Sequence, residues 1–240
     1  MSNFEETTVL DIDNRPIHTF YHKAKKPRRD NLTVVIFHGA GTSRAERFVP
    51  LAQFFLEQGV SVLALDFVGH GKTGMDLRDN SLTLRTKHGI AAINHWLAEG
   101  TPLLLLGSSM GAHTALRVST KFGKRVHSIC LLQAAVYASE AENISFTETF
   151  TQILRRPGSW KSSLALQDAA HFDGNVYIAI GSADSVIPWE VTEALLAASK
   201  EQARTVRFEV FRGVGHELPE WIPEHPQLAR QMIDFLLSGS

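Results

Sequence analysis

One cysteine in 240 residues excludes an internal disulfide framework and any zinc site built from four thiolates. Charge of one sign is missing as well. With 24 Lys and Arg against 25 Asp and Glu, the chain lacks the basic excess of a nucleic-acid binder. Long apolar runs are absent: the longest lie around Leu32–Phe37, Val60–Leu65 and Leu103–Leu106, far short of the ~20 residues that cross a bilayer. The N-terminus, MSNFEETTVLDIDN, carries acidic residues where a secretion signal needs positive charge followed by an apolar stretch. At 44% hydrophobic and 20% charged the chain is too apolar to be disordered, and it is long enough to bury one core. These features point to a single domain over 1–240 that is soluble, reduced and cytoplasmic, with no nucleic-acid and no membrane partner.

What is present is a rhythm. Short apolar runs at Leu32–Phe37, Val60–Leu65, Pro102–Leu106, Ser128–Leu132 and Asn175–Ile180 read as strands buried on both faces, because they lack in/out alternation. Thr205–Phe211 alternates more and reads as an edge strand. Helical patterns lie between and after them, over Arg47–Gln58, Leu82–Leu97, Met110–Phe122, Glu190–Lys200 and Pro226–Leu237. Strand–helix alternation with short turns predicts an α/β fold, a mostly parallel central sheet with helices on both faces. Thr7–Leu10 and Ile17–Tyr21, around Asn14-Arg-Pro16, read as an antiparallel hairpin on its edge.

Two stretches break the rhythm. The basic run His22–Arg29 reads as a solvated loop before the first parallel strand rather than a phosphate or partner contact, given the balanced charge. Residues 138–172 show no regular crossover pattern but carry Phe146, Phe150, Ile153, Leu154, Trp160, Leu164 and Leu166. They are open to two readings, ordinary core helix or a small lid over a site.

The run Leu103–Leu106 leads straight into Gly107-Ser-Ser-Met-Gly111, and a helical pattern follows. This is G-x-S-x-G with Ser109 in the middle. A nucleophile on a sharp strand-to-helix turn needs small neighbours two residues away, so that strand and helix can pass closely. A serine hydroxyl is a poor nucleophile at neutral pH and needs a histidine base held by a carboxylate. Of the 11 histidines, His216 stands out, in Gly213-Val-Gly-His-Glu217 just past a strand. Asp184, in Gly181-Ser-Ala-Asp-Ser-Val-Ile-Pro188, also follows a strand. All three sit at carboxyl ends of predicted parallel strands, where open α/β sheets place their sites.

Five motifs in this order resemble those of α/β-hydrolase-fold serine hydrolases, over roughly Leu32 to Leu237. Phe37-His-Gly-Ala-Gly41 is similar to the family's HG-x-G loop, and Asp66-Phe-Val-Gly-His-Gly71 to its D-x-x-G-H-G turn. The nucleophile elbow, the acid motif and the base motif complete the set. The resemblance implies a triad of Ser109, Asp184 and His216, in the family's chain order, working through an acyl-enzyme. It implies an oxyanion hole from the N–H of Met110 and of Ala40, with Gly41 as the alternative second donor and as a substrate-binding residue. His38 and His70 read as loop-stabilising. The aromatics of 138–172, above all Trp160, together with Trp189 and Trp221, are expected to wall an apolar acyl pocket. Core packing is the alternative role for each of them.

No cofactor or metal is implied. Gly71-Lys-Thr73 ends like a phosphate-binding loop, but Asp66 stands where that loop needs glycine. His216-Glu217 lacks a second histidine four residues on, and Cys130 lies in an apolar strand. The expected substrate is a small-molecule carboxylic ester or thioester with a small to medium acyl group. The alternatives are an acyl-carrier thioesterase or acyltransferase, and a catalytically silent α/β-hydrolase domain used for binding. The lead reading predicts that Ser109→Ala abolishes ester turnover and leaves the fold intact; wild-type rates in that variant would overturn it.

Overall fold

Five of the apolar runs become strands with every residue buried or nearly so, and they set the architecture. A computed structural model describes residues 6–238; the first five residues, part of the acidic N-terminal stretch, and the last two lie outside the described residues. The strands are β1 (Glu6–Asp11), β2 (Pro16–His22), β3 (Thr33–Phe37), β4 (Ser61–Leu65), β5 (Leu103–Ser108), β6 (Val126–Leu132), β7 (Asn175–Gly181) and β8 (Thr205–Phe211). They form one sheet in the order β1-β2-β4-β3-β5-β6-β7-β8. The six strands from β4 to β8 in that order are parallel, and the β1–β2 hairpin adds on antiparallel through β2 and β4.

The helices are α1 (Val49–Glu57), α2 (Leu82–Trp96), α3 (Met110–Phe122), α4 (Glu148–Leu154), α5 (Leu164–His171), α6 (Trp189–Ser199), the single turn α7 (Leu218–Trp221) and α8 (Pro226–Leu237). α1 starts two residues later than its apolar pattern. Pro50 has no N–H to give and occupies the first turn, and the residues before it, Ala45–Phe48, form a 3-10 turn. The sheet's pleat sorts the core into two layers. Val35, Phe37, Leu103, Leu105 and Ile129 pack with α2, α3, α5 and α6, while Val34, Ile36, Leu104, Leu106 and Cys130 face α1 and α8. Cys130 lies 3.8 Å from Met232 Sδ in that second layer, where burial pushes its thiol up. In the basic run, Lys23, Lys25, Lys26 and Arg29 face solvent and Arg28 pairs with Asp30.

From β3 the chain steps to β4 on one side, and from β5 onward it steps away on the other. The carboxyl ends of β3 and β5 thus flank a topological switch point, where such sheets open a crevice. The turn from β5 into α3 passes hard against the end of β3. A Cβ on Gly111 would collide with the carbonyl oxygen of Phe37 and lie 2.8 Å from that of His38. Both obstacles are backbone, so neither can turn away. Gly111→Ala is therefore expected to cost about 3 kcal/mol, read as a lowered urea midpoint with an unchanged slope.

Candidate active site

Ser109 sits between the last residue of β5 and the first of α3, at φ 52° and ψ −122°, a region costly for any residue with a side chain. Backbone hydrogen bonds hold it there. Its N–H donates to Leu132 O at 3.0 Å, and its carbonyl accepts from Ala112 and Ala135 at 3.0 and 3.1 Å. Asp184 follows β7 with its side chain 0% exposed. Oδ1 accepts from the N–H groups of Val186 and Ile187 at 2.8 and 3.1 Å, and Oδ2 lies 2.7 Å from His216 Nδ1. That contact assigns the imidazole proton to Nδ1 and leaves Nε2 as an acceptor. The loops after β7 and β8 are stitched by Ser182 N–H to Phe211 O, Ala183 N–H to Val214 O and Gly213 N–H to Ser182 Oγ, each at 2.9 Å.

Ser109 and His216 are walls of one cavity of about 250 Å³. In this structure no hydrogen bond joins the two side chains, a looseness common in sites without substrate. The loop after β3 passes directly over the serine: a Cβ on Gly39 would lie 3.2 Å from Ser109 Cβ. Ala40, Met110 and Ser109 line a common second cavity. The Met110 N–H opens α3, where no intrahelical acceptor exists, and among the described residues neither it nor the Ala40 N–H is taken.

His38 knots two loops together. Its Nε2 accepts from Phe67 N–H at 3.1 Å and its Nδ1 donates to Gly39 O at 2.7 Å. Beneath it lies a residue that motif reading passed over. Arg85 is fully buried, stacks on Phe67 with its guanidinium carbon 3.8 Å from the ring centre, and donates through Nη2 to His38 O. It has no carboxylate partner among the described residues. Desolvation draws it down to about 9, so it stays charged at neutral pH. Burial, and then the charge of Arg85, keep His38 well below its ordinary value and lower His70 to about 4. The signal for Arg85 was the spacing Leu82, Arg85, Gly89, Ala92, Ile93, which places it on the buried stripe of α2. Gln133, at φ 42° past the end of β6, left no signal of this kind.

The second cavity, of about 500 Å³, is apolar: Leu77, Met110, Phe146, Phe150, Trp160 and Ile187 are among its walls. Trp160 is thus at the cavity. Trp189 is not, and that expectation is corrected. Its ring packs on Phe208 at 6.1 Å, its Nε1 donates to Glu193, and it is 44% exposed. As the first residue of α6 it faces the outer strand, while Pro188 and Val191 beside it face inward. Trp221 packs on Phe211 and His225, away from the cavity. Gly41 lines the His216 cavity and an adjoining one of about 690 Å³, but not the apolar one. The stretch 138–172 divides by its contacts. Its part up to Ser162 contributes cavity walls, whereas α5 packs on α3 and α6 in the sheet layer.

A mostly parallel sheet with a strained serine at its switch point and a His–Asp pair past the ends of β7 and β8 defines the α/β-hydrolase class. Within it, the chain belongs to the family described as serine aminopeptidase, S33, whose model matches residues 28–162. It is similar to the uncharacterized protein YfhR of Salmonella typhi, 25% identical over 246 residues, spanning 97% of this chain and 81% of that one. Among solved structures it resembles Est1E from Butyrivibrio proteoclasticus with ferulic acid bound (TM-score 0.73, 16% identity, 95% and 98% of the two chains). It also resembles the esterase EaEST from Exiguobacterium antarcticum (TM-score 0.69, 19% identity, 97% and 99%). At these identities the two structures speak for the fold. No helix among the described residues is long and apolar enough to cross a membrane.

A largely buried charge cluster fastens the stretch that walls the apolar cavity to α3. Glu142 meets His113 Nε2 at 3.1 Å and Arg117 at 3.4 Å, and Arg117 reaches Asp168 of α5 at 2.6 Å. Burial pushes the Glu142 carboxyl up, but the His113 hydrogen bond and the charges of His113 and Arg117 outweigh it and hold the group below its ordinary 4.5. A carboxylate with a depressed folded value stabilises above its unfolded value and loses that contribution as pH falls through the folded one. Glu142→Gln should cost about 2 kcal/mol at pH 7. The gap from the parent should shrink as the pH of chemical denaturation drops below 4.5.

Proposed function

We propose that this protein is a serine hydrolase that cleaves carboxylic esters or thioesters of small to medium acyl groups, with Ser109, His216 and Asp184 as its triad. The observation that carries the reading is the 2.7 Å bond from His216 Nδ1 to buried Asp184, set across one cavity from a serine on a strained turn. Ser109 Oγ attacks the acyl carbon while His216 Nε2 takes its proton. The carbonyl oxygen gains the negative charge, and the N–H groups of Ala40 and Met110 receive it, with the positive end of α3 behind Met110. As the bond to the leaving oxygen or sulfur breaks, His216 gives it that proton. Water then attacks the acyl-enzyme, again losing its proton to His216, which returns one to Ser109. Asp184 orients the ring and stabilises the imidazolium.

The apolar cavity on the other side of Ser109 takes the acyl group in this reading, with 138–162 acting as a small lid. An aminopeptidase would need an anionic partner for the substrate's α-ammonium there. The residues that wall that cavity include no Asp or Glu, which favours an uncharged acyl group. The buried lone thiol suits a cytoplasmic setting. A fluorophosphonate probe is expected to label the wild type at Ser109 and not the Ser109→Ala variant. On a panel of nitrophenyl esters and acyl-thioesters, Trp160→Ala should move the optimum toward longer acyl chains. No labelling at Ser109 would overturn the assignment.

A further inference from the structure

Gln133 stands in a position no motif covers. It is the first residue beyond β6, 3% exposed, with a backbone in the left-handed region at φ 42°, strain that tends to persist at functional sites. Two bonds fix it. Its N–H donates to Ala179 O at 2.6 Å, and its side-chain Oε1 accepts from Leu218 N–H at 2.9 Å, two residues past His216. The second bond decides the amide's orientation, since only the oxygen can accept. The NH2 end is left over. It has no partner among the described residues, it is not sealed away from the surface, and Gln133 lines the cavity of Ser109 and His216.

The two cavities at Ser109 differ in kind. His216 lines the smaller one and not the apolar one. In the proposed mechanism the leaving group departs on the side where His216 hands over its proton. That side is polar: Ser43, Gln133 and the Arg47–Glu220 ion pair are among its walls. We infer that Gln133 is a specificity-determining residue whose amide NH2 donates to an acceptor oxygen on the leaving group, so that the preferred substrates are esters of polar, oxygen-bearing alcohols. This inference rests on the serine-hydrolase reading above and narrows its substrate class.

The test compares two esters of one acid whose alcohols match in length, 2-methoxyethyl butyrate and n-butyl butyrate. Wild type should favour the ether-bearing ester in kcat/KM by about tenfold, the worth of one well-placed hydrogen bond. Gln133→Glu keeps an oxygen for Leu218 N–H but turns the donor into an acceptor; Gln133→Met removes both. In each variant that preference should collapse to the ratio set by alcohol reactivity alone. The ratio cancels any disturbance of His216, which serves both esters alike, and the wild-type comparison needs no variant to fold. No preference in wild type, or an unchanged ratio in both variants, would overturn the inference while Ser109 still reacts with the fluorophosphonate. Absence of that reaction would overturn the underlying reading and this inference with it.

Discussion

The backbone reversal at Ser109 is the constraint around which the rest is arranged. Holding a serine at φ 52° and ψ −122° costs about 1–3 kcal/mol, and the chain meets that cost by tying both its N–H and its carbonyl to the strand end and loop of β6 as well as to α3. The elbow is therefore as rigid as the parallel pairing of β5 with β6. Gly111 lets the helix come down on the carbonyls of Phe37 and His38, and the same approach brings the loop of Ala40 over the serine. One strained turn thus sets Ser109, the first N–H of α3 and the β3 loop in a single arrangement.

Charge around this turn is divided with care. A desolvated arginine with no carboxylate partner among the described residues lies under the loop, and its neighbours His38 and His70 are held neutral by burial with the cation's help. Neutral imidazoles make good cross-links, since one nitrogen can donate while the other accepts, as His38 does between the loops after β3 and β4. His216 is set apart from them: its side chain is 23% exposed and bonded to a carboxylate.

Much of this was legible in the linear chain because it depends on local sterics. The parallel strands are apolar on both faces, so their runs are unbroken. The elbow must have glycine two residues either side of Ser109, and Asp184 and His216 each lie in the loop that follows a strand. Where side chains point was less legible. Trp160 and Trp189 read alike, yet the former walls the apolar cavity and the latter packs outward on Phe208. Arg85 is polar in composition but falls on the buried stripe of α2. Gln133 lies in a stretch, Leu132-Gln-Ala-Ala, with nothing to mark a left-handed residue.

The sequence by itself determined the strand order along the chain, the five longer helices, the parallel sheet and the three residues at the strand ends, since each follows from periodicity or from a steric need confined to a few neighbours. Tertiary structure decided which aromatics meet the cavity, how far 138–172 covers it, and how two cavities of different polarity come to share one serine. Those outcomes depend on loops from β3, β6, β7 and β8 packing against one another. Contacts between residues as distant as Gln133 and Leu218, or His113 and Glu142, carry no period that a linear reading can detect.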